Sequence, residues 1–371
     1  MARDADVVVV GGGVIGLAAA AALARAGREV LLLERNGGFG QETSSRNSGV
    51  IHAGLYYPSG SLKAHLCVAG REALYARCER MRIPHRRTGK LVVATTPSEV
   101  EVLERLLELG TANGAPGLEI LDAAALRARE PALQALAALW SPATGIVDPD
   151  ALCSSFAAEA EAHGAVLLLR SEVIAIEAGD AGFRVEVADP DRTRVRVDCA
   201  AVVNAAGLAA DRVAACAGLD PDALGYRIHP CKGDYFALAP SAPLRLSTLV
   251  YPVPSGAGLG IHATLDLGGR IRFGPDAEYV ERADYGVDAA KAGHFAEAAG
   301  RYLPGLRPEW LTPDQAGVRP KLAGPGEPFR DFVVAEESAA GLPGFVSCVG
   351  IESPGLTAAP AIAERVLELL C

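Results

Sequence analysis

The chain contains no run of clustered lysine and arginine, no C-x-x-C pair and no second glycine fingerprint like the one near its start. Each absence excludes a class. A polyanion-binding protein needs a basic face. With a formal net charge of -10 and no basic run, nucleic acid is not an expected partner. Positive charge for a small anion would have to be local. The eight cysteines, Cys67, Cys78, Cys153, Cys199, Cys216, Cys231, Cys348 and Cys371, lack the spacing of a zinc site or a redox disulfide. They read as reduced, mostly buried thiols of a cytosolic protein, and no metal is expected. No stretch is Pro- or Gly-repetitive, so the 41 glycines and 24 prolines signal turns rather than disorder. No internal repeat is found. Val7 to Ala24 is apolar enough to mimic a membrane span. Asp4 and Asp6 precede it where a signal peptide carries positive charge, and patterned glycines interrupt it. Membrane contact is therefore at most peripheral, on the inner face, and the expected location is cytoplasmic.

The 371 residues are many for one hydrophobic core, which predicts two lobes. Val7–Val10 reads as a strand buried on both faces, Val14–Ala26 as an Ala/Leu-rich helix closed by Gly27, and Glu29–Leu33 as a second buried strand. Helices are predicted over Ser61–Met81, from Pro97, over Asp150–His163, over Ala289–Tyr302 and over Leu356–Leu370. Strands are predicted over Gly89–Thr95, near Ala165–Leu169, over Glu172–Ile176 and over Ala200–Asn204. Phe183–Val187 and Val195–Val197 alternate as a hairpin does. From His229 to Phe273 the pattern is strand after strand. The fold class is α/β and α+β: a Rossmann-type lobe, and a second lobe on a mixed, largely antiparallel sheet. The first lobe is expected from 1–85, 146–222 and 316–371, the second from 86–145 and 223–315.

The one fingerprint is Gly11-Gly12-Gly13-Val14-Ile15-Gly16. Gly11 permits a tight turn out of the strand, Gly13 lets backbone approach a pyrophosphate, and Gly16 lets the helix pack close to the sheet. The helix N-terminus at Val14 and Ile15 then presents free N–H groups and a positive dipole end. Glu34 ends the second strand eighteen residues after Gly16, with Arg35 beside it. A carboxylate there accepts from both ribose hydroxyls and repels a 2′-phosphate. Strand, turn, helix, second strand and acid together point to a dinucleotide. Gly256-Ala257-Gly258-Leu259-Gly260 has glycines but no helix after it, so a second nucleotide domain is not expected.

Thr43-Ser44-Ser45-Arg46-Asn47-Ser48-Gly49, running on to His52, resembles the second cofactor-contacting segment of the D-amino-acid-oxidase-like flavoproteins. Val173, in Glu172-Val173-Ile174, resembles the strand position that meets adenine. Asn204-Ala205-Ala206-Gly207 resembles that superfamily's small-residue turn, with Ala205 and Gly207 against the cofactor. The resemblance implies FAD. Ser45 to Pro58, Ser61–Ala64, Lys232–Phe236, Tyr251–Pro254, Gly260–His262, Gly274-Pro275 and Gly350–Thr357 further resemble the L-2-hydroxyglutarate dehydrogenase/oxidase branch, over nearly the whole chain. Lys232 stands where that branch often has arginine, Asp276 where it often has asparagine, and Thr264 and Leu265 where it is bulkier. These departures lie in the second lobe and bear on the substrate.

The resemblance implies oxidation of a small anionic 2-hydroxy acid, with L-2-hydroxyglutarate foremost. A base takes the hydroxyl proton while hydride moves to flavin N5. Oxygen, a quinone or an electron-transfer flavoprotein would take the electrons onward. The runner-up on the same fold is an amine or amino-acid oxidase or dehydrogenase. A base working near neutral pH is naturally histidine, and His52 and His262 fall in the matched blocks. A carboxylate needs cations. Arg319 and Lys321 flank Pro320, and Lys232 and Tyr251 complete the expected pocket. Gly350, Glu352, Ser353, Gly355, Leu356 and Thr357 precede or open the last helix. Their backbone N–H groups are expected at the flavin's pyrimidine end, where reduction leaves negative charge.

Overall fold

The computed structural model describes residues 3–254 and 260–371. Of the predicted glycine turn at 256–260, residues 256–259 lie outside the described residues.

The first strand, Ala5–Val10, is buried because both faces are covered, and its valine run suits that position. It lies parallel to Val30–Leu33 on one side and to Arg194–Asn204 on the other. Val166–Leu168 and Leu342–Val349 extend this parallel core outward. Two antiparallel ribbons complete an eight-stranded sheet. The sequence predicts strands 195–197 and 200–204 separately, but they are one strand, Arg194–Asn204. Its first half pairs with Gly182–Ala188, and its second half joins the parallel core. The alternation of Val195, Val197, Cys199 and Ala201 runs on without a break, so nothing stops the strand.

The helix Val14–Arg25 is buried nearly all round. Its alanines give high helix propensity and a thin profile. Helices Pro149–Ala162 and Gly355–Leu369 pack directly against it. Gly27, at φ +84°, ends it, with the Arg28 N–H reaching back to the Leu23 carbonyl.

The second sheet has nine strands. Lys90–Ala94 and Leu249–Pro252 run parallel, and every other pairing is antiparallel. Its core is richer in rings: Phe236, Phe273, Phe295 and Tyr302 are fully buried. Strand Leu311–Lys321, which crosses the boundary expected at 315/316, brings this sheet onto the segment that carries Arg46. A Cβ at Gly317 would stand 2.0 Å from the Arg46 carbonyl oxygen, so only glycine permits that approach.

The helix predicted over Ala289–Tyr302 is divided into a 3-10 turn, Ala289–Lys291, and an α-helix, Ala292–Gly300. The Asp288 carboxylate accepts from the Ala290 N–H, and Lys291 is held by Asp234, Asp276 and Glu278, which tightens the first turn. Among the described residues, no helix is long and apolar enough to cross a membrane.

Candidate active site

One elongated cavity of about 470 Å³ runs from the end of the first strand to the face of the second sheet. Its first end is made by backbone. Gly11 sits at φ +108°, and a Cβ there would lie 2.5 Å from the Ala205 carbonyl oxygen. Gly13, Val14, Ile15, Ala205 and Gly207 line the wall. Gly16 does not. A Cβ on Gly16 would fall 1.9 Å from the Gly11 carbonyl oxygen, so this glycine serves the turn behind the wall.

Glu34 is buried and faces the same space. One carboxylate oxygen accepts from the Gly12 N–H at 2.7 Å and the other from the Asn36 N–H at 2.7 Å. Each oxygen keeps a lone pair for a further donor. Arg35 lines the cavity and pairs with Glu42 at 2.6 Å. Val173 is in the wall nearby, together with Arg212, which the sequence reading missed. Arg212 carries no motif signal. It arrives there because helix Ala210–Cys216 follows the Ala205–Gly207 turn.

The segment 43–49 forms the middle. The Ser44 hydroxyl accepts from the Val14 N–H at 2.9 Å, covering one free donor at the helix start. The Thr43 hydroxyl donates to the Val318 carbonyl, tying this segment to the second sheet. The Asn47 amide donates to the Thr43 and Ser44 carbonyls and accepts from the Gly49 N–H, so it braces its own turn. The Arg46 guanidinium lies 4.3 Å from the centre of the Tyr285 ring, and its Nε is buried without a partner. Ser48 lies against the Tyr235 and Tyr251 side chains. Ser45 opens instead into a shallow neighbouring depression. Gly49 is a turn residue at φ +64°.

The far end is built from side chains. His52, Tyr235, Tyr251, His262, Arg319 and Glu352 all reach it. The His262 ring stacks on Tyr251, centres 3.5 Å apart and planes 10° from parallel. His52 is placed from two directions. Its backbone N–H donates to the Thr357 hydroxyl at 3.0 Å, and its Nε2 lies 3.2 Å from the Ser353 hydroxyl. Its Nδ1 is buried without a partner. Burial, with the Lys90 charge adding, pushes the His52 pKa down to about 3, so the ring is neutral. Burial pushes Tyr235 up to about 12, with Arg319 opposing.

Arg319 lines the cavity, and its guanidinium donates to the Asp276 and Cys231 carbonyls. Among the described residues no carboxylate forms an ion pair with it, and its charge, with those of Lys63 and Lys321, helps hold the Glu352 carboxyl low. Two expected substrate cations are corrected. Lys232 sits outside the cavity wall because Gly233 and Tyr235 of the same strand face inward and alternation turns Lys232 away. Its amine bonds Asp284 at 3.0 Å. Lys321 also stands outside the wall. It pairs with Glu352 at 3.0 Å, as Lys63 does at 3.1 Å, and these two lysines hold the Glu352 carboxyl below the usual range against the opposing effect of burial. Ser353, Gly355 and Leu356 line the cavity at the start of the last helix. Gly350 and Thr357 stand behind it. A Cβ on Gly350 would meet Leu322 at 2.4 Å, and the Thr357 hydroxyl donates to the Val50 carbonyl.

The residues present fit an extended dinucleotide cofactor whose ring end reaches the second sheet. A glycine cradle, a helix start and Glu34 occupy one end, and buried polar atoms without partners, Arg46 Nε and His52 Nδ1, stand further along. Fold and site together define a flavoprotein oxidoreductase. The chain belongs to the FAD dependent oxidoreductase family, whose model matches residues 6–369. It is 39% identical over 398 residues to the mitochondrial L-2-hydroxyglutarate dehydrogenase of Arabidopsis thaliana, covering 97% of this chain and 82% of that one. It is 31% identical over 401 residues to the mitochondrial L-2-hydroxyglutarate dehydrogenase of Caenorhabditis elegans, covering 97% and 92%. Among solved structures it resembles the FAD-bound L-alpha-glycerophosphate oxidase of Mycoplasma pneumoniae, with a TM-score of 0.87 at 27% identity, covering 99% and 94%. The protein is an FAD-dependent oxidoreductase.

Proposed function

We propose that this enzyme oxidises a small 2-hydroxy acid, L-2-hydroxyglutarate to 2-oxoglutarate, with His52 accepting the hydroxyl proton. The observation that carries this reading is Arg319: a guanidinium without an ion pair of its own among the described residues, in the wall of the chamber that also holds His52, His262 and Tyr251. Arginine grips a carboxylate through two parallel bonds. The names borne by relatives at 31% and 39% identity support the same substrate. FAD, when bound, would supply the two-electron acceptor for the substrate's α-hydride.

The chain's own residues do the rest. Gly11, Gly13, Glu34, Val173, Ala205 and Gly207 hold the dinucleotide, and Ser353, Gly355 and Leu356 present a helix N-terminus to its ring end. Ser353 fixes one edge of the His52 ring and leaves Nδ1 open for a proton. A neutral imidazole is the proton-accepting form, and a bound carboxylate nearby raises its basicity. His262 and Tyr251, stacked together, form a flat wall that excludes water.

The test is an anaerobic panel followed by flavin absorbance, and then by reoxidation with oxygen or a soluble quinone. L-2-hydroxyglutarate is expected to bleach the flavin. Bleaching by glycerol 3-phosphate, or by glycine, sarcosine or proline, with none by L-2-hydroxyglutarate, overturns the assignment.

A further inference from the structure

Three elements meet beside the far end of the cavity, and each contributes one charged side chain. Helix Leu62–Met81 brings Lys63, strand Leu311–Lys321 ends on Lys321, and the turn before helix Gly355–Leu369 carries Glu352. Lys63 and Lys321 each donate to Glu352 Oε1 at 3.1 Å, and Lys321 also donates to Oε2 at 3.0 Å. The cluster is shielded from water, with the Lys63 and Glu352 side chains only 5% and 11% exposed. The Phe329 and Phe332 rings lie 5.0 and 5.2 Å from the Lys63 amine and replace part of its lost hydration. The Asp331 carboxylate is occupied elsewhere. It accepts from the Leu62 and Lys63 backbone N–H groups at 2.6 and 2.9 Å, where a helix start favours negative charge. Glu352 itself lines the cavity, next to Ser353, which meets the His52 ring. The two lysines stand behind it.

A brace between three elements does not need this arrangement. Burying charged groups costs solvation, and apolar side chains would tie the elements together as well. One cation would also suffice to neutralise Glu352. With two lysines against one carboxylate, one positive charge is left in excess. Arg319, which also acts on Glu352, adds another in the cavity wall. The chain as a whole carries a formal net charge of -10, so this positive end is local. We propose that the Lys63–Glu352–Lys321 cluster holds positive charge at the ring end of the FAD cavity and thereby raises the reduction potential of the flavin. Two-electron reduction leaves negative charge on the ring. A positive charge in a poorly solvated site stabilises that form more than the oxidised one. Neither lysine lines the cavity, so the effect is one of field rather than contact. Glu352 fixes both amines in place, where free lysines would turn their amines out to water. The inference rests on FAD and on its ring end lying at the start of the last helix, and is independent of which substrate is oxidised.

The test measures the two-electron midpoint potential of the FAD-loaded enzyme at pH 7, by slow reduction against a reference dye with no hydroxy acid present. K321M and K321Q differ in polarity but both remove the charge. Each is expected to shift the reduction equilibrium about tenfold or more towards oxidised flavin, a fall of about 30 mV for a two-electron couple. K321R keeps the charge and is expected to stay within about twofold of the unaltered enzyme in that equilibrium. K63M removes charge from the other side of Glu352 and is expected to lower the potential likewise. It serves as the second variant where the Lys321 changes fail to load FAD. A fall in K321R as large as that in K321M would mark a structural role, and unchanged potentials in K321M, K321Q and K63M would remove the cluster from any part in flavin tuning. Either result overturns the proposal. The anaerobic bleaching panel tests the 2-hydroxy-acid reading separately. Bleaching by L-2-hydroxyglutarate without these shifts in potential leaves that reading standing and refutes this one.

Discussion

The two ends of the cavity are made of different material. At the glycine end the wall is largely backbone, and its positions are set by what a Cβ would strike: Gly11 against Ala205, with Gly16 against Gly11 in the turn behind the wall. At the sheet end the wall is side chains, His52, Tyr251, His262 and Arg319, aimed by strands far apart in sequence. On the proposed function, the first end holds a shape common to many nucleotides and the second selects the substrate, so substitutions at the two ends are expected to act differently.

The contrast breaks most severely at Gly16. Gly16→Val places side-chain atoms onto the Gly11 carbonyl, and the turn has no room to yield. The expected outcome is apoprotein with little folded material, read as the flavin-to-protein absorbance ratio; a normal ratio would refute the backbone account. A smaller effect separates two cations of the second sheet. Arg319→Leu is expected to raise KM for L-2-hydroxyglutarate by about 10- to 100-fold with flavin content kept. Lys232→Met, outside the wall and tied to Asp284, is expected to leave KM within about twofold. Equal effects from the two variants would show that alternation does not divide them as described.

The smallest expected effect is on stability against pH. Lys90, with its folded pKa near 7, binds fewer protons folded than unfolded between pH 7 and about 10.5. Stability from this group therefore rises with pH across that window, and below pH 7 its burial is an unrelieved cost. Lys90→Met removes the group. Its stability advantage over the unaltered enzyme, on the order of 2 kcal/mol at pH 6.5, is expected to shrink towards pH 10. Melting temperatures of both FAD-loaded proteins at pH 6.5 and 9.5 measure this, and a gap that does not change with pH rules out a lowered Lys90 pKa.

Much of the dinucleotide end was legible in the sequence because its logic is local. A strand, a glycine turn, a helix and a terminal acid lie within about thirty consecutive residues, and steric rules act between neighbours. Val173, Ala205 and Gly207 also reach the cavity, at positions suggested by family resemblance. The sheet end was legible only in part. His52, His262, Tyr251 and Arg319 reach the cavity, whereas Lys232 and Lys321 do not. Lys90 carried no signal: the sequence placed it inside the expected strand Gly89–Thr95 and gave no sign of its burial. Tyr235 lies in the matched block Lys232–Phe236, to which the sequence assigned only Lys232 a role.

By itself, then, the sequence determined a glycine turn between a strand and a helix, with Glu34 closing the next strand, and through family resemblance an FAD-type cofactor. Tertiary structure decided which cations face the chamber, where His52 is braced by Ser353 and Thr357, and that Lys90 is buried among tyrosine rings. The physical reason is range. Backbone sterics and helix dipoles act over a few residues of chain. The burial and charge of a side chain depend on strands such as Lys90–Ala94 and Leu249–Pro252, which meet only when the sheet has formed.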